Sequence, residues 1–458
     1  MQKITTNIIP SKPILIGNKT NLDYKAICVY TALGFFLEDD TFFESQKALL
    51  PAHNYVLDKN NIVSKEAYFK WNYNPFERSF DKVVDEFSQL FETIIQDQVQ
   101  DKKVILPLSG GLDSRTQAVA LQHLKKEVNS YSYSFQNGLN ESDYGKKIAD
   151  VCNFPFTDLT IPKGYLWDSI ERLAQLNGCY SEFTHPRQMA VVEELGKMGD
   201  VFSLGHWGDV LFDDMGVPDD LSFDSQLDVL YKKVIKKGGL EIANQLWQSW
   251  NLQGNFEDYL RERLSTLLRK IDISESANAQ IRAFKSLYWA PRWTSTNLSV
   301  FESVQPITLP YYDNRMCEFI CSVPEKYLAG RQIQIEYIKR RNPKIAKIEW
   351  QQHRPFNLYN YHLNKVPYNL PYRVYGKLLR TINPQKFIQR NWELQFLGEQ
   401  NEQHLEEYLF QNQKMNEIIP SEVVSTIYSK FQKVDTVYYS HPLSMLLTLS
   451  LFFKDKYE

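Results

Sequence analysis

Apolar and polar residues alternate along this chain with two different periods, and each change of period separates a predicted strand from a predicted helix. The run VILPL, from Val104 to Leu108, is short and apolar and suits a strand buried on both faces. From Thr116 to Leu124 the apolar positions take helical spacing instead. The string SGGLDS lies between them, so a glycine loop joins the predicted strand to the predicted helix.

The same change of period recurs on both sides of this loop. Helices are predicted for 76–99 and 144–151, and strands for 128–135 and 156–161. A strand-helix-strand-helix-strand run indicates a parallel sheet of the α/β class, with ligands at its carboxyl edge. Residues 220–300 and 361–458 have mainly helical periodicity, and the second stretch ends in an apolar helix.

The glycine loop has the composition of an anion-binding site. Gly110 and Gly111 have no Cβ, so their amides can approach an anion at the positive end of the following helix. Ser109 and Ser114 can donate hydroxyl groups to phosphate oxygens, and Asp113 is best explained as a ligand of phosphate-bound Mg²⁺. The alternative is an ordinary helix cap formed by Ser109 or Asp113. The string is not a Walker loop, because no Gly-Lys-Ser/Thr follows it.

At these residues the sequence resembles the ATP-pyrophosphatase family, and within it the class B asparagine synthetases with the β-lactam synthetases and lasso-peptide cyclases. The resemblance implies a parallel-sheet ATP-pyrophosphatase core joined to a largely helical C-terminal half. It also implies a ligase that uses ATP and Mg²⁺, releases AMP and pyrophosphate, and transfers an adenylated carboxylate to ammonia or an amine. Asparagine is the default product. The implied nucleotide-binding residues of the first loop are Leu108, Ser109, Gly110, Gly111, Asp113 and Ser114.

The string SYSF followed by Glu141 and Asp143 is similar to the family's nucleotide-base strand and acidic helix start. This similarity implies that backbone groups of Ser132, Ser134 and Phe135, at the end of the second strand, bind the adenine. Ordinary strand alternation and a helix cap explain the same residues without a ligand.

The segment DVFSLGHWGDVLFDDMG is similar to the family's Ser-Gly-Glu-Gly-x-Asp-Glu loop. The similarity implies that Gly205 lies against the nucleotide and that Asp209 joins Asp113 as a magnesium ligand. His206 stands where the family has its mechanistic glutamate, so it is either a catalytic base or a structural residue. Further along, Asp313 follows a Pro-aromatic segment shared with the family and is predicted to cap a helix.

The segment NPKIAKIEWQQHRPFN is similar to the family segment whose lysine stabilises the adenylation transition state. His353 aligns with that lysine, Arg354 is adjacent, and Lys339 with Arg340 lies upstream on a predicted helix. Because the transition state needs a nearby cation, one of these residues is expected to supply it. A solvated basic surface is the alternative explanation of the cluster.

The predicted domains are a truncated glutaminase-like appendage at 1–75, the synthetase-like core at 76–357 and a helical extension at 358–458. The family's glutaminase uses an N-terminal cysteine, whereas Gln2 follows Met1 here and the first cysteine is Cys28. We therefore expect the chain not to hydrolyse glutamine by itself. Nitrogen would come from ammonia, from a partner protein or from an amine on the substrate.

Composition excludes several classes of protein. A net charge of −3 gives no reason to expect nucleic-acid binding. The cysteines, five in number and scattered, indicate buried free thiols rather than disulfides or a metal site. The apolar C-terminal run is too short to span a bilayer, and the N-terminus lacks a continuous apolar region, so a cytoplasmic location is expected.

Two alternatives to asparagine synthesis remain at this point. A cyclase or amide synthetase for a peptide, sugar acid or secondary metabolite would also explain the missing glutaminase. A nucleotide-binding scaffold without activity would explain His206 and His353, although the intact SGGLDS string and Asp209 argue against it.

Overall fold

The computed structural model describes residues 1–138, 142–183, 186–382 and 390–455. The strands, in chain order from β1 to β10, are Gln2–Thr5, Leu15–Gly17, Gln46–Ala48, His53–Asp58, Asn61–Ala67, Val104–Pro107, Val128–Phe135, Phe156–Ile161, Val201–Ser203 and Ile307–Thr308. The helices from α1 to α11 are Tyr24–Leu33, Phe80–Val99, Leu112–His123, Ser142–Cys152, Tyr165–Asn177, Val192–Leu195, Gly208–Leu211, Phe223–Val234, Gly239–Ser249, Phe256–Ile271 and Ala277–Phe284. The helices from α12 to α22 are Ser295–Glu302, Asn314–Cys321, Glu325–Leu328, Gln332–Arg341, Pro343–Ala346, Leu370–Ile382, Asn391–Phe396, Glu399–Phe410, Gln413–Ile418, Ser421–Lys433 and Thr436–Asp455.

The strand that precedes the glycine loop lies in the middle of a parallel sheet. In the described part of the chain this sheet has the order β10-β9-β6-β7-β8. Val104 of β6 pairs with Val128 of β7 on one side and with Val201 of β9 on the other. The chain therefore proceeds outward from β6 to β8 and then returns to the other side of β6. Such a reversal leaves a crevice at the carboxyl ends of β6 and β9, where open α/β sheets bind ligands.

The structure confirms the predicted α/β fold and most of the element boundaries. Strands β7 and β8 have the predicted bounds, and α4 extends the predicted helix by two residues at its start and one at its end. Helix α2 begins at Phe80 rather than at residue 76, because the Ser79 side chain caps it by accepting from Lys82 N at 3.2 Å. The predicted capping role of Asp313 is also confirmed, since its side chain accepts from Arg315 N at 3.0 Å.

The N-terminal segment and the C-terminal helices share a hydrophobic core with the parallel sheet. Phe42 stacks on Phe452 of α22 with ring centroids 3.7 Å apart, and the Tyr30 hydroxyl donates to the Cys179 carbonyl at 2.7 Å. These contacts join segments that are far apart in sequence. The domain boundaries at residues 75 and 357 stay a prediction.

The cysteines are buried free thiols, as the sequence indicated. No helix within the described ranges combines the length and the apolar character needed to cross a membrane.

A buried ion pair holds the end of the short helix α7. Arg282 and Glu325 form a bidentate pair at 2.6 and 2.7 Å, with side chains only 3% and 5% exposed. Arg282 also donates to the carbonyl of Val210 at 3.2 Å and to that of Asp213 at 2.9 Å. Because α7 carries Asp209, this pair fixes the position of one predicted magnesium ligand.

The variant Glu325→Gln is expected to lower the free energy of unfolding by about 3–5 kcal/mol, because it leaves the Arg282 charge buried without its partner. The matched control is Asp150→Asn, which breaks an exposed ion pair with Lys146 and is expected to cost less than about 0.5 kcal/mol. Chemical denaturation followed by circular dichroism measures both. Equal effects of the two substitutions would contradict a structural role for the buried pair.

Candidate active site

The first loop connects β6 to α3 and leaves the start of that helix without a side-chain cap. Gly111 is the capping residue, in extended conformation. Ser109 N donates to Ser114 Oγ at 3.1 Å, and Gly111 N donates to Ser109 Oγ at 3.2 Å. The serines thus shape the loop, while the amides at the helix start remain suited to an anion.

A buried arginine ties this loop to a segment far along the chain. The Arg115 guanidinium donates to the carbonyl oxygens of Gly110 at 3.3 Å, Ile348 at 3.0 Å and Glu349 at 2.8 Å. Burial lowers its pKa to about 10, so the group stays charged at neutral pH. Gln351 then lies directly over Gly110, where a Cβ on that glycine would overlap its side chain and come 3.0 Å from Tyr144.

The second loop connects β9 to α7 and is held in a strained conformation. Trp207 has a φ of 76°, which is unfavourable for a side chain of this size. Its indole Nε1 donates to Ser286 Oγ at 3.0 Å. Asp209 follows in the first turn of α7.

The two loops meet at the Asp113 side chain. A Cβ added to Gly205 would lie 3.0 Å from the Cβ of Asp113, and one added to Gly208 would overlap its carboxylate. Glycine is thus required at both positions by close packing rather than by a positive φ. The structure therefore brings together the first loop and the second loop, as the sequence implied.

The Asp113 carboxylate is held through one of its oxygens. Oδ1 accepts from Arg331 Nη2 and from Gln334 Nε2, the latter at 3.0 Å. Its other oxygen, Oδ2, accepts no hydrogen bond within the described part of the chain. Burial, opposed by the charge of Arg331 and assisted by the charge of Asp209, raises the pKa of Asp113 to about 6.

Asp113 and Asp209 fit the requirements of Mg²⁺. Each lines the same cavity, and the charge of Asp209 contributes to raising the pKa of Asp113. Mg²⁺ commonly takes one or two protein carboxylates and completes its shell with water and phosphate oxygens. The described residues contain no group of three or more His, Cys, Asp or Glu that could hold a metal, so a site with three protein ligands of these types is not formed there.

A cavity of about 690 Å³ lies between the loops and the helical half of the protein. Its volume is typical of small-molecule sites. The predicted site residues that line it are Leu108, Ser109, Asp113, Ser114, Gly205, His206 and Asp209. The predicted site residues that do not line it are Gly110, Gly111, Ser134, Phe135, His353 and Arg354.

One of the three predicted adenine contacts, Ser132, lines the cavity, and the other two do not. Ser132 and Tyr133 line it from strand β7, whereas Ser134 and Phe135 continue the same strand in register with β8. Glu141, implied as the acidic helix start, lies outside the described residues.

His206 lies in the cavity with its imidazole in a setting that keeps it neutral. Burial, opposed by the charge of Asp209 and assisted by the positive charge of Arg187, lowers its pKa to about 4. Nδ1 is buried and, in the described part of the chain, has no hydrogen-bond partner. A neutral imidazole can accept a proton, but with this pKa it is a weak base at neutral pH. Its predicted catalytic role stays a prediction.

His353 and Arg354 do not line the cavity between the two loops. The His353 ring packs on Trp350 with centroids 4.2 Å apart and accepts from Asn364 Nδ2 at 3.2 Å. Burial lowers its pKa, so it carries little charge at neutral pH. Arg354 lines a different cavity, together with Glu349. The predicted role of His353 and Arg354 in adenylation stays a prediction.

Lys339 and Arg340, the cations upstream of His353, also lie outside the lining of the cavity. Arg340 pairs with Asp81, Asp85 and Glu336, and Lys339 lies over the ring of Tyr359.

Several residues that line the cavity were not predicted from the sequence to be part of the site. They are Arg187, Trp207, Lys285, Trp289, Trp293 and Gln351. A signal for three of them is present in the sequence. Lys285, Trp289 and Trp293 recur every four residues, which places them on one side of a helix. Arg187 gives no comparable signal, because it begins a 3₁₀ helix of only five residues, Arg187–Val191.

A family model described as Asparagine synthase matches residues 86–339, more than half of the chain. The chain belongs to the asparagine synthase family. The match confirms the resemblance carried by the two loops, and membership makes the protein one of a family of ATP-dependent amidation ligases.

Asparagine synthetase [glutamine-hydrolyzing] 1 of Bacillus subtilis (strain 168) is 25% identical over 134 residues, which are 29% of this chain and 21% of that protein. The aligned residues thus span about a fifth of the length of the Bacillus protein. Among solved structures, NMN synthetase from Francisella tularensis aligns with 14% identity over 45% of this chain and 93% of that chain, with a TM-score of 0.23. At that TM-score the similarity supports no structural conclusion.

The variant Gly208→Ala is expected to reduce ATP turnover on the order of 100-fold, because the new methyl group displaces the Asp113 carboxylate. Its control is Gly376→Ala, where the methyl group meets no atom within 4 Å. Pyrophosphate release and the circular dichroism spectrum should be measured for both. A folded Gly208→Ala protein with unchanged turnover would contradict the packing of the second loop against Asp113.

Proposed function

We propose that the protein is an ATP- and Mg²⁺-dependent ligase that adenylates a carboxylate and transfers the acyl group to ammonia or an amine. The observation that carries this proposal is the convergence of Asp113 and Asp209 beside the uncapped start of α3, at the point where the sheet order reverses. An anion-binding helix start and a carboxylate pair together match the phosphates of ATP with bound magnesium.

The reaction has two steps. A substrate carboxylate oxygen attacks the α-phosphorus of ATP, the bond to the bridging oxygen breaks, and pyrophosphate leaves. The nitrogen of ammonia or an amine then attacks the acyl carbon, AMP leaves with the attacking oxygen, and the nitrogen loses a proton. Magnesium, when bound, offsets the charge of the phosphates and orients them.

The residues of the chain would divide these tasks. Ser109 and Ser114 face the cavity and can donate to phosphate oxygens, while Arg115 holds the loop rigid from behind. Arg331 and Gln334 fix the Asp113 carboxylate so that Oδ2 remains available. His206 can accept the proton released by the attacking amine, which an unprotonated imidazole permits.

The cation that meets the α-phosphate is proposed to be Arg187. It lines the cavity together with His206 of the second loop, and its guanidinium charge is permanent. His353 and Arg354, which align with the family lysine, line no part of this cavity. A preorganised positive group at this point stabilises the transition state.

The variant Asp113→Asn is expected to abolish ATP turnover while preserving the fold, because an amide is a poor ligand for Mg²⁺. Asp224→Asn is the matched control, since Asp224 also lies in the first turn of a helix but is exposed and away from the cavity. Pyrophosphate release with ATP, Mg²⁺ and a panel of carboxylates measures both. Turnover within threefold of wild type in folded Asp113→Asn would refute the metal role.

The variant Arg187→Met is expected to slow pyrophosphate release on the order of 10² to 10³-fold, while His353→Ala and Arg354→Ala have small effects. The reason is that Arg187 is the arginine among the described lining residues, and its charge does not depend on pH near neutrality. Single-turnover measurement of pyrophosphate separates this step from amine transfer. A steep loss in His353→Ala or Arg354→Ala, with Arg187→Met near normal, would assign the cation to the aligned segment instead.

A scaffold without catalytic activity predicts a different outcome. Such a protein would bind ATP but release no pyrophosphate with any carboxylate in the panel.

The nitrogen donor is tested in the same assay by adding ammonia, glutamine or a primary amine, and we expect ammonia or the amine to support product formation.

A further inference from the structure

The helical half of the cavity is built from a π-helical segment, Lys285–Thr294, which is inserted between α11 and α12. Segments of this kind are often found at functional sites. Lys285, Trp289 and Trp293 project from it into the cavity. None of these side chains is needed to hold ATP or magnesium in the proposed function.

Two indoles of this segment form an aromatic wall, here defined as Trp289 and Trp293. Their ring centroids are 6.4 Å apart with an interplanar angle of 77°, and Trp289 stacks on Phe35 at 5.5 Å. A third indole, that of Trp207, is held near the wall through its hydrogen bond to Ser286. Phe35 thus supports one indole of the wall, and Lys236 Nζ lies over both, 5.6 Å from the Trp289 centroid and 5.0 Å from that of Trp293.

Lys285 lies at the edge of this wall, between the aromatic rings and the second loop. Its Nζ is 5.7 Å from the centroid of Trp207 and 5.5 Å from that of Trp289. In the described part of the chain it forms no hydrogen bond and no ion pair within 4.0 Å, and Asp209 acts on it only from a greater distance. A half-buried ammonium in such a setting favours an anionic partner.

The charges that line the cavity also disfavour one class of substrate. Among the described lining residues, the carboxylates are Asp113 and Asp209. Asp113 is paired with Arg331, and both are assigned to magnesium in the proposed function. An amino acid such as aspartate would bring an ammonium group that needs a carboxylate of its own. The described lining supplies none for it.

From this arrangement we infer that the acyl substrate is an aromatic carboxylic acid without an ammonium group. Its ring packs on the Trp289–Trp293 wall, and its carboxylate is oriented by Lys285 towards the glycine loop. The inference rests on the proposed adenylation for the fate of the carboxylate, but the binding itself requires no ATP.

The role of Lys285 is tested by binding alone, with isothermal titration calorimetry of the full chain in the absence of ATP. Wild-type protein is expected to bind phenylacetate at least about 10-fold more tightly than the uncharged phenylacetamide, because only the acid can pair with the ammonium. Lys285→Met should remove this difference. Equal binding of the two compounds by the wild type, or binding of neither, would overturn the inference.

The aromatic wall is tested by comparing phenylacetate with hexanoate, an acid of similar size without a ring. Trp293→Leu is expected to reduce the preference for phenylacetate by about 3- to 10-fold, because the ring loses its stacking partner. Trp250→Leu is the matched control, since Trp250 packs on Tyr24 and donates to Ile418, away from the cavity. An unchanged preference in folded Trp293→Leu would contradict the role of the wall.

Pyrophosphate release with phenylacetate, hexanoate, glucuronate and aspartate separates this inference from the proposed function. Phenylacetate should give the highest kcat/KM of the four. Preference for aspartate or glucuronate would overturn the substrate class while leaving adenylation intact. Tight, Lys285-dependent binding of phenylacetate without any pyrophosphate release would instead support the binding site and refute adenylation.

Discussion

The close approach of two loops around one carboxylate is the constraint on which the rest of this site depends. Asp113 is confined on one side by Gly205 and Gly208, and is held on the other by Arg331 and Gln334. No side chain larger than hydrogen fits at Gly208 without moving the carboxylate. Asp113 and Asp209, the proposed magnesium ligands, can therefore line one cavity only while both loops keep their conformations.

Strained backbone near the site lowers the stability of the protein, and buried polar groups compensate for that strain. Trp207 and Arg331 both have positive φ values, and such conformations cost about 1–3 kcal/mol each. Arg115 and Arg282 offset that cost by binding backbone carbonyl groups next to the first and second loops. Local backbone strain that is compensated by stabilising contacts in the surrounding structure is a common feature of preorganised active sites.

Sequence alone predicted the parts of this structure that depend on local pattern. Strand periodicity and the glycine string located β6, β7, β8 and the first loop, because neighbouring residues determine those elements. The sequence did not predict which positively charged side chains enter the cavity. His353 aligns with the family lysine yet packs on Trp350, because the 3₁₀ turn 351–353 directs Gln351 rather than His353 into the cavity. Lys285 enters the cavity from a helix whose packing depends on long-range contacts.

The central claim, that a carboxylate is adenylated at this site, is tested most directly by following oxygen atoms. The substrate acid is labelled with heavy oxygen in its carboxylate, turned over with ATP, Mg²⁺ and an amine, and the nucleotide product is examined by mass spectrometry. Adenylation predicts pyrophosphate release and one labelled oxygen in AMP, because the attacking oxygen leaves with the nucleotide. Formation of ADP with label in inorganic phosphate, or of AMP without label, would contradict it.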